Sequence, residues 1–107
     1  MNKNASEVKE MLKNIKKEDI HFKKHFYDKQ KEDRPYLNEN LIIDSLRNIS
    51  NFLGVQDQSK RNIEKYRIGI KLSNEYDLVV IIEIENKGLY IKTAWKTSRK
   101  WQKATQK

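Results

Sequence analysis

The sequence contains no cysteine, one proline and three glycines, and its longest apolar run extends only from Leu78 to Ile82. The lack of cysteine excludes disulfide scaffolds, thiol catalysis and cysteine-ligated zinc sites. So short a run cannot span a bilayer, and the N-terminus leads into an amphipathic pattern rather than the apolar segment of a signal peptide. We therefore expect no membrane association and a cytoplasmic location.

The chain is short and strongly basic. Its 107 residues suffice for one modest hydrophobic core, so we expect a single domain over residues 1–107. The 23 lysines and arginines outnumber the 15 acidic residues, which gives a formal charge of +8. An excess of this sign favours a polyanionic partner, with RNA as the first candidate. The alternative is a charged surface that only keeps the protein in solution.

Three helices are predicted in the N-terminal half of the chain. We expect the first to span roughly residues 5–17, after a capping box. Asp19 can cap the second, which ends before Arg34-Pro35, because a residue that precedes proline disfavours the α-helical region. The third opens at Asn38 or Asn40, where apolar residues recur at helical spacing.

A two-residue alternation replaces the helical period after Gly54. It predicts strands over residues 65–72, 77–85 and 89–97, with a weaker fourth strand over 51–56. Helices followed by a meander of strands indicate an α+β fold, with N-terminal helices packed on one face of a three- to four-stranded antiparallel sheet. Residues 98–107 form a basic tail, which is either a short helix or frayed chain.

The two histidines, His21 and His25, stand four residues apart in the predicted second helix and so share one of its faces, beside Lys24. Metal binding would need a further ligand, and no glutamate follows His21 to complete a zinc-protease motif. Histidine beside basic residues suits phosphodiester chemistry, in which it acts as a general acid or base. The alternative is a pair of ordinary surface histidines. We predict no metal site and no cofactor.

Cations and aromatic residues are interleaved along the last predicted strand. Strict alternation places Tyr90, Lys92, Ala94 and Lys96 on one side and Leu89, Ile91, Thr93 and Trp95 on the other. On the first long strand, Lys65, Arg67 and Lys71 likewise face away from the apolar set. Such a surface would neutralise phosphates and stack unpaired bases, which favours RNA over duplex DNA. The alternative is a solvated strand face with Trp95 in the core and Trp101 against the sheet edge.

Cleavage of RNA without a metal requires a base for the 2′-hydroxyl, cations for the phosphate and an acid for the leaving oxygen. We assign these catalytic roles to His21, His25, Arg67 and Lys92. Contacts with nucleic acid are assigned to Lys24, Lys65, Lys71, Tyr90, Thr93, Lys96, Arg99, Lys100 and Trp101. The leading hypothesis is therefore an RNA-binding endoribonuclease. The alternative is a non-enzymatic regulatory module that binds protein or nucleic acid.

Two segments resemble the small toxin nucleases grouped with RelE, ParE and the barnase-type folds. They are His21-Phe22-Lys23-Lys24-His25 followed by Arg34-Pro35-Tyr36-Leu37 and a Leu/Ile-rich helix, and the closing strand Tyr90-Ile91-Lys92-Thr93-Ala94-Trp95-Lys96. In those families N-terminal helices precede an antiparallel sheet that carries the active residues. The resemblance implies an endoribonuclease that acts on mRNA or tRNA, and a cognate antitoxin protein as its partner.

Overall fold

A computed structural model describes residues 3–85 and 88–98, apart from the side chain of Asp33. Within these ranges the chain forms three α-helices and five strands. In chain order they are α1 (Ala5–Asn14), β1 (Ile20–Phe22), α2 (Lys24–Asp33), α3 (Glu39–Arg47), β2 (Phe52–Asp57), β3 (Glu64–Lys71), β4 (Tyr76–Glu85) and β5 (Gly88–Ser98). The rest of the predicted basic tail, after Ser98, lies outside the described residues.

The five strands form one mixed sheet in the order β1-β5-β4-β3-β2, in which β1 runs parallel to β5 and the other neighbours are antiparallel. The α+β prediction is confirmed, but the prediction of a three- to four-stranded antiparallel sheet is wrong. The additional strand comes from Ile20–Phe22, which was predicted as helix and pairs with Leu89–Ile91. Its pairing partner is distant in the sequence, so a local period cannot reveal it.

All three helices bury side chains against the same side of the sheet, here called the core face. Val8 and Leu12 of α1, Phe26 of α2, and Ile42 and Leu46 of α3 are at most 2% exposed. They form one cluster with alternate residues of three strands: Tyr66, Ile68, Ile70, Leu78, Val80, Ile82, Leu89, Ile91 and Ala94. Burial of one aliphatic or aromatic side chain of this size contributes about 1.5–3 kcal/mol, so this cluster is the main source of stability.

The helix boundaries follow local capping rules. The Asn4 side chain accepts a hydrogen bond from the Glu7 N–H at 2.8 Å, and the Glu7 carboxylate accepts one from the Asn4 N–H at 3.0 Å. The Asn38 side chain accepts from the Leu41 N–H at 2.8 Å, so Asn38 caps α3. As predicted, α2 ends directly before Arg34-Pro35. That boundary brings Arg34 against β5.

Candidate nucleic-acid interface

The sheet surface opposite the core face, here called the polar face, carries four rows of side chains that cross the strands. Residues paired between neighbouring strands point to the same side, so the register defines each row. The first row is His21, Tyr90, Glu83 and Lys65, and the second is Thr93, Ile81, Arg67 and Gln56. The third is Trp95, Val79, Gly69 and Gly54, and the fourth is Thr97, Asp77 and Lys71. Lys65, Arg67 and Lys71 therefore face away from the core, as predicted.

A bulge at Lys92 determines which side chains of β5 lie on the polar face. The register with β4 skips Lys92, and one extra residue turns the remainder of a strand over. Tyr90, Thr93 and Trp95 consequently share the polar face, whereas Ala94 is buried in the core. The strict alternation predicted for this strand is therefore wrong beyond the bulge.

Two guanidinium groups lie near the Trp95 ring. The Arg67 Cζ atom is 5.4 Å from a Trp95 ring centroid and the Arg34 Cζ atom is 6.0 Å from it. Because Arg67 is on β3 and Trp95 on β5, the two side chains meet across β4. Val79 and Ile81, which pair in register with Trp95 and Arg67 respectively, are 1% and 8% exposed although both belong to the polar face. We call Arg34, Arg67 and Trp95 the aromatic end of this face.

Hydrogen bonds to β5 hold the side chain of Arg34 in place. Its Nη1 atom donates hydrogen bonds to the Thr93 Oγ1 atom at 3.1 Å and to the Ala94 carbonyl oxygen at 3.2 Å. Beside it is a solvent-open pocket with a volume of about 440 Å³, here called the edge pocket, which is lined by Arg34, Tyr36, Trp95 and Lys96. The pocket follows the part of β5 that β1 does not pair with, since β1 reaches only Ile91.

The opposite end of the polar face, here called the carboxylate end, combines ion pairs with a ring stack and consists of His21, Lys23, Glu83, Glu85 and Tyr90. The Lys23 Nζ atom is 2.6 Å from Glu83 Oε1 and 3.1 Å from Glu85 Oε2. The hydrogen bond to Glu83 raises the pKa of Lys23 above its ordinary value, against the opposing effect of burial. The His21 ring stacks on Tyr90 with 5.0 Å between centroids. Two carboxylates thus offset the charge of Lys23.

The two histidines lie on different elements. His21 belongs to β1 and faces the first row of the polar face, whereas His25 lies in the first turn of α2 and is exposed. The prediction that they share one helix face is wrong, because the chain around His21 is extended. Lys24, also exposed, is the first residue of α2.

The remaining predicted site residues are spread over the sheet. The described contacts bring Arg67 to Trp95 rather than to His21. Lys96 pairs in register with Leu78, and its Nζ atom lies 4.8 Å from the Tyr36 ring centroid and 4.6 Å from that of Tyr76. The last three predicted contacts lie outside the described residues: Arg99, Lys100 and Trp101.

The sequence pattern predicts no role in the site for Lys23, Arg34, Tyr36 or Glu83. The one usable signal was Arg34-Pro35, which ends a helix and so directs a cation into a loop. Nothing local indicates that this loop lies against β5, or that Lys23 reaches Glu83.

No family model, curated protein or solved structure matches this chain. The relationship to toxin nucleases therefore stays a prediction. Among the described helices, none combines the length and the apolar character needed to cross a membrane. Residues 3–85 and 88–98 contain no group of three or more histidine, aspartate or glutamate side chains that could hold a metal ion.

Proposed function

We propose that this protein binds single-stranded RNA through the aromatic end of its polar face. The observation that carries the proposal is the position of Trp95, with the Arg67 and Arg34 guanidinium groups 5.4 and 6.0 Å from its ring. An aromatic face takes up an unstacked base, and adjacent cations attract the phosphates on either side of it. Only a single strand offers unstacked bases, so the arrangement favours single strands over duplexes.

The distribution of acidic residues supports the same end of the face. Lys65 in the first row pairs in register with Glu83, and Lys71 in the fourth row pairs with Asp77. Arg67 in the second row has Ile81 and Gln56 as its partners, and neither is charged. A phosphate approaching Arg67 therefore meets less repulsion than one approaching either lysine.

Binding is tested by titrating a fluorescently labelled single-stranded RNA of mixed sequence at several salt concentrations. We expect binding at low ionic strength that weakens steeply with salt, and preference for the single strand over its duplex. Arg67→Gln should weaken binding, whereas Arg47→Gln, which removes the same charge from exposed Arg47 on α3, should not. Absence of salt-sensitive binding at low ionic strength would refute the proposal.

A second candidate function, cleavage of the bound RNA, rests on the presence of exposed His21 on the same face. In such a reaction a base removes the 2′-hydroxyl proton and the 2′ oxygen attacks phosphorus. The leaving 5′ oxygen receives a proton, which gives a 2′,3′-cyclic phosphate and a 5′-hydroxyl. His21 supplies one group able to transfer protons, and Arg67, in the neighbouring second row, is a cation whose register partners carry no charge.

Cleavage is tested with end-labelled RNA, in the presence and absence of a chelator. We expect chelator-resistant products that end in cyclic phosphate and that disappear with His21→Asn but not with His25→Asn. If the RNA stays intact when it is fully bound, the protein binds RNA without cleaving it.

A further inference from the structure

The edge pocket combines two cations with two aromatic rings in a small volume. Arg34 and Lys96 supply the charges, Tyr36 and Trp95 supply the rings, and the volume is about 440 Å³. This volume lies within the range of pockets that hold small molecules. The pocket lies at the edge of β5, so a strand of RNA on the polar face would pass next to it.

We propose that the edge pocket binds one nucleotide, with the base against the aromatic rings and the phosphate between Arg34 and Lys96. The inference rests on the proposed RNA binding for the source of its ligand, and it adds a discrete site to a general surface. In a bound RNA, one nucleotide would then be contacted through both its base and its phosphate.

Tyr36 and Trp95 provide the contact with the base. Tyr36 is 45% exposed, so its ring is accessible to a ligand. Trp95 is half-buried, and the Arg67 guanidinium lies 5.4 Å from its ring. A ring that is already fixed loses little side-chain entropy when a base stacks on it.

Lys96 and Arg34 provide the contact with the phosphate. The Lys96 ammonium lies 4.8 Å from the Tyr36 ring centroid and 4.6 Å from that of Tyr76. Among the described residues it forms no ion pair with a carboxylate, unlike Lys23. The Arg34 guanidinium is fixed through Nη1 by Thr93 and Ala94. The two cations are therefore held at the pocket before any ligand arrives.

Because the pocket combines rings with cations, it should bind a nucleotide more tightly than a nucleoside or a phosphate alone. Inorganic phosphate would use only the two cations, and a nucleoside would use only the rings. A nucleoside monophosphate uses both at once, so its affinity should exceed that of either fragment.

The test is a titration of the full chain with uridine and adenosine 5′-monophosphates, the matching nucleosides and inorganic phosphate, followed by NMR. We expect at least about tenfold tighter binding of the monophosphates than of either fragment. Tyr36→Ala should weaken monophosphate binding by roughly 5- to 150-fold, the range seen when one stacking ring is removed. Tyr76→Ala is the matched control, because Tyr76 is similarly exposed and also contacts Lys96 but does not line the pocket.

The outcomes separate this inference from the proposed function. The nucleotide site would be refuted by equal affinity for monophosphate and inorganic phosphate. Equal losses of monophosphate affinity in Tyr36→Ala and Tyr76→Ala would also refute it. If RNA then still binds in an Arg67-dependent way, the proposed function stands without it. Tight monophosphate binding with no RNA binding would instead support the pocket and contradict the proposed function. Thermal unfolding of both variants checks that each remains folded.

Discussion

The two ends of the polar face place their cations beside different neighbours. At the aromatic end, Arg67 lies near the Trp95 ring, whereas at the carboxylate end Lys23 is held by Glu83 and Glu85. An aromatic ring leaves most of a cation's charge available to a passing anion, but two carboxylates neutralise it. The comparison teaches that the neighbours of the cations, rather than their number, determine where a surface attracts a polyanion.

Removal of the Trp95 ring is the most severe way to break the comparison. Trp95→Ala should raise the dissociation constant for single-stranded RNA by roughly 5- to 150-fold, which corresponds to about 1–3 kcal/mol for one stacked base. Fluorescence anisotropy measures the change. Trp95→Phe keeps a ring and should recover most of the affinity. Unchanged affinity of a folded Trp95→Ala variant, with folding checked by circular dichroism, would place the interface elsewhere.

Substitution of two glycines, one near each end of the polar face, tests the comparison through the free energy of unfolding. A Cβ atom at Gly88 would lie 2.9 Å from the Asp19 carbonyl oxygen and 3.1 Å from the His21 Cδ2 atom. Gly88→Ala should therefore push β1 from β5 and destabilise the fold by about 1–3 kcal/mol. A Cβ atom at Gly54, in the row of Trp95, would meet nothing within 4 Å, and its φ is not positive. Gly54→Ala should stabilise the fold by up to about 1 kcal/mol.

Urea unfolding of both glycine variants measures the two effects. The expected signs are opposite, because a Cβ atom at Gly88 would clash with Asp19 and His21, while the surface over Gly54 is open. Equal losses of stability would show that both strands need the glycine conformation and that the contrast in packing is wrong.

Charge removal at each end tests the comparison directly. Arg67→Gln should weaken RNA binding by about three- to tenfold at moderate salt and should lower the salt slope by about 0.7, the value for one phosphate on a single strand. Lys23→Gln removes the same formal charge but should change the affinity less than about twofold, because Lys23 is engaged by Glu83 and Glu85 and is not available for a direct contact with a phosphate. The measurement is the RNA affinity of both variants across a series of salt concentrations. Equal effects of the two substitutions would contradict the difference proposed between the two ends.

Glu83→Gln should have the smallest effect on RNA binding, and in the opposite direction. The substitution releases Lys23 from its closest carboxylate, so affinity should rise by about twofold. Glu83 is only 6% exposed and holds Lys23 at 2.6 Å, so the variant should also lose some stability. A fall in affinity would show that Glu83 itself takes part in binding.

The same ion pair gives a dependence on pH. The pKa of Lys23 is raised above its ordinary value of 10.5, mainly by its hydrogen bond to Glu83, so the folded chain holds this proton more tightly than the unfolded chain. The resulting stabilisation is complete below pH 10.5 and is lost as the pH rises through the folded pKa. The wild type should therefore lose more stability than Glu83→Gln in this range. Identical profiles in chemical denaturation would contradict the role of the pair.

Much of the fold follows from local rules, but two elements do not. The capping residues Asn4 and Asn38 and the end of α2 before Pro35 are readable because each depends on a few consecutive residues. The strand Ile20–Phe22 is not, because it is extended only through its pairing with β5. The bulge at Lys92 is equally hidden, since no glycine or proline marks it.

Some residues of the candidate site also follow from local sequence patterns, whereas others do not. Alternation along β3 correctly places Arg67 on the polar face, because no bulge interrupts the pairing of that strand with β4. Arg34 and Tyr36 escape prediction because a loop brings them to β5, and only tertiary packing shows this. Strict alternation predicts Trp95 and Tyr90 on opposite sides of β5. The bulge at Lys92 instead places both on the polar face.

The account is tested most directly by the amide chemical shifts of the isotope-labelled chain during titration with single-stranded RNA. It predicts that the largest changes fall on Arg34, Arg67 and the segment 93–97, with small changes at Lys23, Glu83 and Glu85. Largest changes at those three residues, or changes spread evenly over the sheet, would contradict it.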